Sequence, residues 1–264
     1  MDLSGSMPGL ESLGGLFSSF GRPKPILVSD YDGTLAPFRR ERGDAVPLPE
    51  VKELLWRIIS AGGDVMILSG RDAGEVFLLL GLDVEIIGCH GWQRRSPGGK
   101  TETLPLSGDE RRAVQALSSL FDAFPIDSVE IKPVSAALHW RERDEIKRRW
   151  HKLEPEIIDR AGQSGLEALR FNGGIEFRIP AFSKGAAIER ILEHRKENGP
   201  VFYLGDDVTD EDAFLALKGR GTGILVSGSP RRSAADAWIR PEEVKFFLEM
   251  WLSALEGEQR RGEA

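Results

Sequence analysis

Short apolar runs recur along the chain, each bounded by polar or turn-forming residues and followed by a stretch with helical spacing. Ile26–Val28 leads to a helix expected from about Leu48 to Ala61. Val65–Leu68 leads to one from about Ala73 to Leu80, and Val84–Ile87 follows. Far downstream, Val201–Leu204 and Ile224–Val226 repeat the pattern around a helix near Asp210–Lys218. Brief, unbroken apolar runs suit strands buried on both faces. Their alternation with helices implies a parallel sheet covered by helices on both sides.

The middle of the chain has a different rhythm. A helix near Asp109–Phe124 leads to strands Val129–Lys132 and Ala136–Trp140, divided by Pro133. A charged helix from Glu142 to about Arg160 comes next. Strands Ala168–Phe171 and Ile175–Ile179 are joined by Asn172-Gly173-Gly174, and Asn-Gly between β-type runs marks a hairpin. This α+β segment, 107–180, is expected to be inserted into a parallel-sheet domain made of 24–106 and 181–256. Residues 1–23, rich in Gly and Ser, are expected to be a flexible arm or a short amphipathic helix, and 257–264 a solvated tail.

Composition narrows the classes. With 264 residues the chain can bury a sizeable core. Its net charge of −7 argues against a general affinity for nucleic acid or anionic membrane. No apolar run approaches the roughly 20 residues that span a bilayer, and the N-terminus lacks the basic start and apolar stretch of a signal peptide. Cys89 is the single cysteine, so neither a disulfide framework nor a Cys-based zinc site can form. It is read as a small core residue, and a cytoplasmic location fits.

Candidate chemistry sits where the apolar runs end. Asp30-Tyr31-Asp32-Gly33-Thr34-Leu35 follows Ile26–Val28, and ligands in open α/β sheets bind outside the carboxyl ends of the strands. A turn at Gly33 can bring both carboxylates over one site, as nucleophile and proton donor; an Asx-rich turn is the plainer alternative. An EF-hand fits less well, because the glycine is at the fourth position and a strand precedes it. Ser69-Gly70-Arg71 follows the next run and can cradle phosphate with a hydroxyl and backbone N–H groups, or simply cap a helix. Lys184 opens a helix, where its charge opposes the macrodipole unless it faces an anion. Asp206, Asp207, Asp210, Glu211 and Asp212 crowd five carboxylates into seven residues after Val201–Leu204. Such crowding favours a cation, and Mg2+ is the expected cofactor because it prefers oxygen ligands; an acidic helix cap is the alternative. The Ser96–Thr103 stretch fails the P-loop spacing, since Arg94 stands where a glycine is needed, and it is read as a turn between strands.

Together and in this order, the four motifs resemble those of the haloacid dehalogenase-like superfamily of aspartyl-phosphate phosphatases, over about Pro25 to Trp251. The position of the insert resembles the superfamily's large α/β cap class. The fold class expected is therefore α/β, a Rossmann-like parallel-sheet core with an inserted α+β cap domain. Several stretches are similar to trehalose-6-phosphate phosphatases: Gly205–Phe214, His90-Gly91-Trp92-Gln93-Arg94, Glu130–Arg141, and Glu176-Phe177-Arg178-Ile179-Pro180. Pro133, where a glycine is common, and the extra Ile179 depart from that pattern.

The resemblance implies a Mg2+-dependent phosphatase in carbohydrate metabolism acting on a sugar phosphate, foremost trehalose 6-phosphate. Asp30 is the expected nucleophile and Asp32 the acid and base. Ser69, Gly70 and Lys184 would hold phosphate, and His90, Arg94, Glu130, Lys132 and Glu176 the sugar. Asp30, Asp32 through its backbone carbonyl, Asp206, Asp207 and Asp210 would surround the metal. On the residues alone, Glu130, Lys132 and Glu176 read somewhat better as cross-strand ion pairs on a solvated sheet, and the resemblance reverses that order. A synthase of trehalose 6-phosphate is the implied functional partner, and a monomer is expected. Another sugar phosphate, a sugar phosphomutase on the same core and a catalytically silent scaffold are the competing readings.

Overall fold

The computed structural model describes residues 7–17, 24–39, 41–171, 173–195 and 199–262. The chain divides into two compact units, Met1–Glu102 with Lys184–Ala264, and Thr103–Ser183.

In chain order, the first unit begins with α1 (Leu10–Phe17), β1 (Ile26–Ser29), α2 (Pro49–Ser60), β2 (Asp64–Leu68), α3 (Ala73–Leu80), β3 (Glu85–Gly88), β4 (Gln93–Arg95) and β5 (Thr101–Thr103), which ends at the unit boundary. The second unit carries α4 (Gly108–Leu117), β6 (Val129–Ile131), β7 (Ser135–His139), α5 (Asp144–Gln163), β8 (Glu167–Phe171) and β9 (Gly174–Arg178). The first unit resumes with α6 (Lys184–His194), β10 (Val201–Gly205), α7 (Val208–Leu217), β11 (Gly221–Val226), β12 (Ala237–Ile239) and α8 (Val244–Gly262).

The first unit's sheet has the order β12-β11-β10-β1-β2-β3-β4-β5. Pairing is parallel from β12 to β3 and antiparallel between β3 and β4. Side chains alternate across a strand, and here both faces are buried. Leu27, Ile67, Phe202 and Leu204 join one apolar cluster with Ile58, Phe247 and Trp251 of α2 and α8. Ile26, Val28, Met66, Val201 and Tyr203 join the other with Ile188 and Phe214 of α6 and α7. Two covered faces explain why the strands read as continuous apolar runs. The chain winds from β1 through β2 to β3, then returns to β10 on the other side of β1. The crevice at the carboxyl ends of β1 and β10 is therefore the topological switch point.

At the N-terminus the helical alternative is the one found, and the C-terminus differs from expectation. Leu10–Phe17 is helical and packed: Leu13 and Phe17 are buried, and the Phe17 ring meets Phe247 edge-on at 5.4 Å. The rest of the expected arm, 1–6 and 18–23, lies outside the described residues. The expected tail is instead the last part of α8, which continues to Gly262. That helix is held by Phe247, Leu248, Trp251, Leu252 and Leu255, all buried at helical spacing.

The second unit is an antiparallel sheet, β6-β7-β9-β8, with two helices. Its boundaries, Thr103 and Ser183, are wider than the expected 107–180. α4 starts at a capping box, where Ser107 Oγ accepts from Glu110 N–H (3.2 Å) and Glu110 accepts from Ser107 N–H (2.7 Å). It ends at Leu117 rather than near Phe124, and turns bring Phe121 inward to meet Phe177 at 5.7 Å. Trp150 of α5 is fully buried against the same ring. The β8–β9 pairing is antiparallel, with Phe171 opposite Gly174; Asn172 of the expected turn lies outside the described residues. Among the described residues, no helix is long and apolar enough to cross a membrane.

Candidate active site

β1 delivers Asp30 to the switch point. Its N–H donates to Leu204 O at 2.8 Å, so the pairing with β10 continues one residue past the strand. The chain must then turn sharply. Gly33 N–H donates to Ala36 O at 2.7 Å, and Gly33 has φ +79°, a conformation that disfavours a side chain. Space also demands glycine there: a Cβ would lie 2.3 Å from Asp206 Oδ2. The first turn is thereby pressed against the acidic loop after β10, and Thr34 Oγ1 donates to Asp206 Oδ1 at 3.3 Å.

Lys184, the first residue of α6, is almost fully buried, and its Nζ lies 2.8 Å from Asp30 Oδ1 and 2.6 Å from Asp210 Oδ1. Burial alone would pull the lysine's pKa down, but Asp210 and Asp30 outweigh it and hold the ammonium charged. Burial pushes the Asp30 carboxyl up to about 7; Lys184 opposes the rise and Asp210 adds to it. Asp206 is raised well above the ordinary range, first by burial and then by Asp30 and Asp210.

Asp210 is the hub of this cluster. One oxygen accepts from Lys184 Nζ and the Tyr203 hydroxyl, and the other from the N–H groups of Asp206 (3.0 Å) and Asp207 (2.9 Å). A carboxylate offers about four acceptor sites, so these four donors use its capacity. Asp30, Asp206 and Asp210 each place one oxygen within 4.8 Å of the others. Buried carboxylates this close, with two pushed towards their neutral forms, suit a hard divalent cation that would stabilise their charge. Asp207 falls outside this group; its carboxylate accepts from Val208 N–H at 2.7 Å and caps α7.

The register Ser29↔Ile67 sets the ends of β1 and β2 side by side, and Ser69 follows β2. Its buried Oγ accepts from Arg71 N–H at 3.1 Å. Gly70 lies against His90, whose ring would be 2.6 Å from a Cβ there. The backbone that delivers this ring is unusual, with positive φ at Cys89, His90 and Gly91 in succession. Arg94, expected at the sugar, instead forms an exposed two-armed pair with Glu85 of β3 (2.7 and 3.0 Å).

The second unit holds the other expected sugar residues. Glu130, Ala137 and Glu176 are in register across β6, β7 and β9, so the two glutamates share a face, opposite to that of Leu138 and Phe177. Glu176 is buried and accepts from Lys132 Nζ (2.9 Å) and Ser135 Oγ (2.7 Å). Glu130 contacts His139 Nε2 at 3.3 Å. The Lys132–Glu176 ion pair is thus present, but within a mostly buried polar patch rather than on a solvated surface.

Sequence reasoning gave no role to Arg71, Tyr203 or Arg231. Arg71 is buried and grips Asp32 with two hydrogen bonds of 2.6 Å, while also donating to Arg42 O and Glu75. Arg71 stands in the quoted Ser69-Gly70-Arg71 motif, so an arginine beside a candidate proton donor was the available signal. Nothing in the pattern around Tyr203 or Arg231 marked them.

A carboxylate at the switch point, held by a buried lysine and faced by a second acidic loop, suits phosphoryl transfer through an aspartate. The fold is shared with a haloacid dehalogenase-like hydrolase of B. subtilis, with TM-score 0.60 and 15% identity over 85% of this chain and 98% of that one. A model of the trehalose-phosphatase family matches residues 28–240, and the chain belongs to that family. A probable trehalose-phosphate phosphatase 9 of Oryza sativa subsp. japonica is 32% identical over 263 residues, covering 84% of this chain and 68% of its own length. A bifunctional trehalose-6-phosphate synthase/phosphatase of Thermoproteus tenax is 33% identical over 208 residues, 75% of this chain but 28% of its own. The C-terminal domain of a C. albicans trehalose-6-phosphate phosphatase shares the fold, with TM-score 0.79 and 22% identity over 94% of this chain and 98% of that one.

Proposed function

We propose that the protein hydrolyses trehalose 6-phosphate to trehalose and phosphate through an aspartyl-phosphate on Asp30. The observation that carries the chemistry is the buried Asp30–Lys184–Asp210 cluster beside Asp206 at the switch point. The family match and the rice relative's name support the substrate.

A carboxylate oxygen of Asp30 attacks phosphorus as the bond to the sugar oxygen breaks, and Asp32 gives that oxygen its proton. Water then attacks phosphorus, Asp32 takes its proton, and the bond to Asp30 breaks to release phosphate. Arg71 takes one acceptor site on each Asp32 oxygen and fixes the carboxylate's orientation, and each transfer uses a remaining site. Lys184 and Ser69 hold phosphoryl oxygens, and the lysine's retained charge offsets theirs.

Asp30, Asp206 and the backbone carbonyl of Asp32 are the proposed metal ligands. Asp210, with its acceptor sites filled, orients them rather than binding directly, and Asp207 is a helix cap. The hard oxygen donors make Mg2+ the proposed ion, which would neutralise charge building on the phosphoryl group. Glu130, Lys132 and Glu176 form a polar patch suited to sugar hydroxyls. A synthase that makes trehalose 6-phosphate is the proposed functional partner, in keeping with the fused relative from T. tenax.

Phosphate release from a panel of sugar phosphates, with and without Mg2+, tests this reading. Trehalose 6-phosphate should lead the panel by at least tenfold in kcat/KM, with release abolished by chelator. A stronger preference for a monosaccharide phosphate would overturn the substrate, and metal-independent turnover would overturn the site.

A further inference from the structure

The loop between β11 and β12 makes contacts that the reaction above does not use. Arg231 Nη2 donates to the main-chain oxygens of Asp206 (3.2 Å) and Asp207 (3.3 Å), and its Nη1 to Glu211 at 2.5 Å. The other oxygen of Glu211 accepts from Ser233 Oγ (3.0 Å) and Ala234 N–H (2.7 Å), both in the same loop. On the opposite side, Asp210 takes the N–H groups of the same two residues, Asp206 and Asp207. The backbone from which the Asp206 carboxylate projects is therefore gripped from both sides, by an aspartate on its N–H groups and by an arginine on its carbonyls.

We infer that Arg231 is a positioning residue for metal binding: its planar fork fixes the peptide units that aim Asp206 at Asp30. The inference rests on the reading of Asp30 and Asp206 as ligands. Two effects of Arg231 have opposite signs. As a positive charge near the site it repels a cation, and removing it, with Glu211 left unpaired, would tighten binding. As a fork it holds Asp206 in place, and removing it would loosen binding. Arg231 is one-third exposed and already paired with Glu211, so its long-range repulsion is largely offset and screened. One guanidinium nitrogen reaches both carbonyls while the other holds Glu211, and a single ammonium does not reproduce that planar spread from loop to loop. Positioning therefore dominates.

Calorimetric titration of the full chain with Mg2+, without substrate, separates the two. Arg231→Gln and Arg231→Lys should both weaken Mg2+ binding on the order of tenfold, as for other groups that orient metal ligands. Their kcat at saturating Mg2+ should fall by less than Mg2+ affinity does. Lysine keeps the charge, so a charge effect alone leaves Arg231→Lys at wild-type affinity, whereas loss of the fork does not. Near-UV circular dichroism checks that each variant is folded, and Arg231→Lys decides the matter if Arg231→Gln does not fold. Unchanged or tighter Mg2+ binding in folded Arg231→Lys overturns the inference. Asp206→Asn separates the two levels of the argument. If it leaves Mg2+ affinity intact, the ligand reading is wrong and Arg231 has nothing to position. If it abolishes binding while the Arg231 variants bind normally, only the role of Arg231 fails.

Discussion

In the absence of a divalent cation this protein should become less stable as pH rises from 5 to 8. Burial raises the Asp30 carboxyl from 3.8 to about 7 in the folded chain. The folded state therefore binds a proton more tightly than the unfolded one, and stability falls with pH between those two values. For a single group with these two pKa values, the contribution drops by on the order of 2–3 kcal/mol from pH 5 to pH 8, and most of that is gone by pH 7. Asp206 is raised by the same burial and by Asp30, so it acts in the same direction. Bound Mg2+, the proposed ion, would stabilise the ionised carboxylates, and the trend should flatten or reverse when it is added. Urea unfolding at half-unit pH steps, with chelator and with excess Mg2+, measures this directly. The difference between Asp30→Asn and wild type reports this carboxyl together with the part of the Asp206 shift that Asp30 causes, and both have the same sign. In chelator that difference should shift by about 2 kcal/mol across the range, with the wild type relatively stronger at pH 5. A wild-type advantage that instead grows from pH 5 to pH 8 would refute the reasoning, since Asp30 would then be stabilised as a carboxylate by Lys184 more than it is penalised by burial.

Lys184→Met removes the buried counter-charge of Asp30 and Asp210 and should cost about 3–5 kcal/mol in metal-free urea unfolding at pH 8. A loss under about 1 kcal/mol would mean that the pair contributes little. Gly33→Ala would place a Cβ 2.3 Å from Asp206 Oδ2 at φ +79°. It should destabilise the chain by at least about 1–2 kcal/mol and weaken Mg2+ binding, which calorimetry reads; unaltered Mg2+ affinity would show that Asp206 does not hold the metal. Lys132→Ala removes a charged hydrogen bond to Glu176 and should lower kcat/KM for trehalose 6-phosphate on the order of 10- to 100-fold, with little effect on p-nitrophenyl phosphate. Equal losses on both substrates would assign Lys132 to the fold of its unit.

What the sequence revealed follows from which forces leave a local trace. β1, β2, β3, β10 and β11 were legible because helices cover both faces of the sheet, so consecutive positions within each strand are apolar. α8 was missed although Phe247, Leu248, Trp251, Leu252 and Leu255 are spaced for it, because no chemistry drew attention to that stretch. α1 was legible only as one of two alternatives, because its glycines weaken helix propensity and its order comes from tertiary contacts of Leu13 and Phe17. β12 is three residues long, and so short a strand acquires its identity from its neighbour.

The same division runs through the candidate site. Asp30, Asp32, Ser69, Lys184 and Asp206 follow strand ends or open a helix, and their spacing is local. The roles of Asp207 and Asp210 were not separable from sequence, because both are carboxylates in one acidic run. The structure separates them by partners: one caps α7, and the other gathers Lys184, Tyr203 and two backbone N–H groups. Those partners are three residues or more away along the chain, and a hub made by convergence has no spacing of its own. Arg71 and Arg231 extend the point. Each acts by holding something else, a carboxylate in one case and two carbonyls in the other. A surface arginine and a clamping arginine are the same letter, so only the fold tells them apart. The residues that perform chemistry in such a site can be read from strand ends; those that aim them must be found by asking what each ligand's backbone is bonded to.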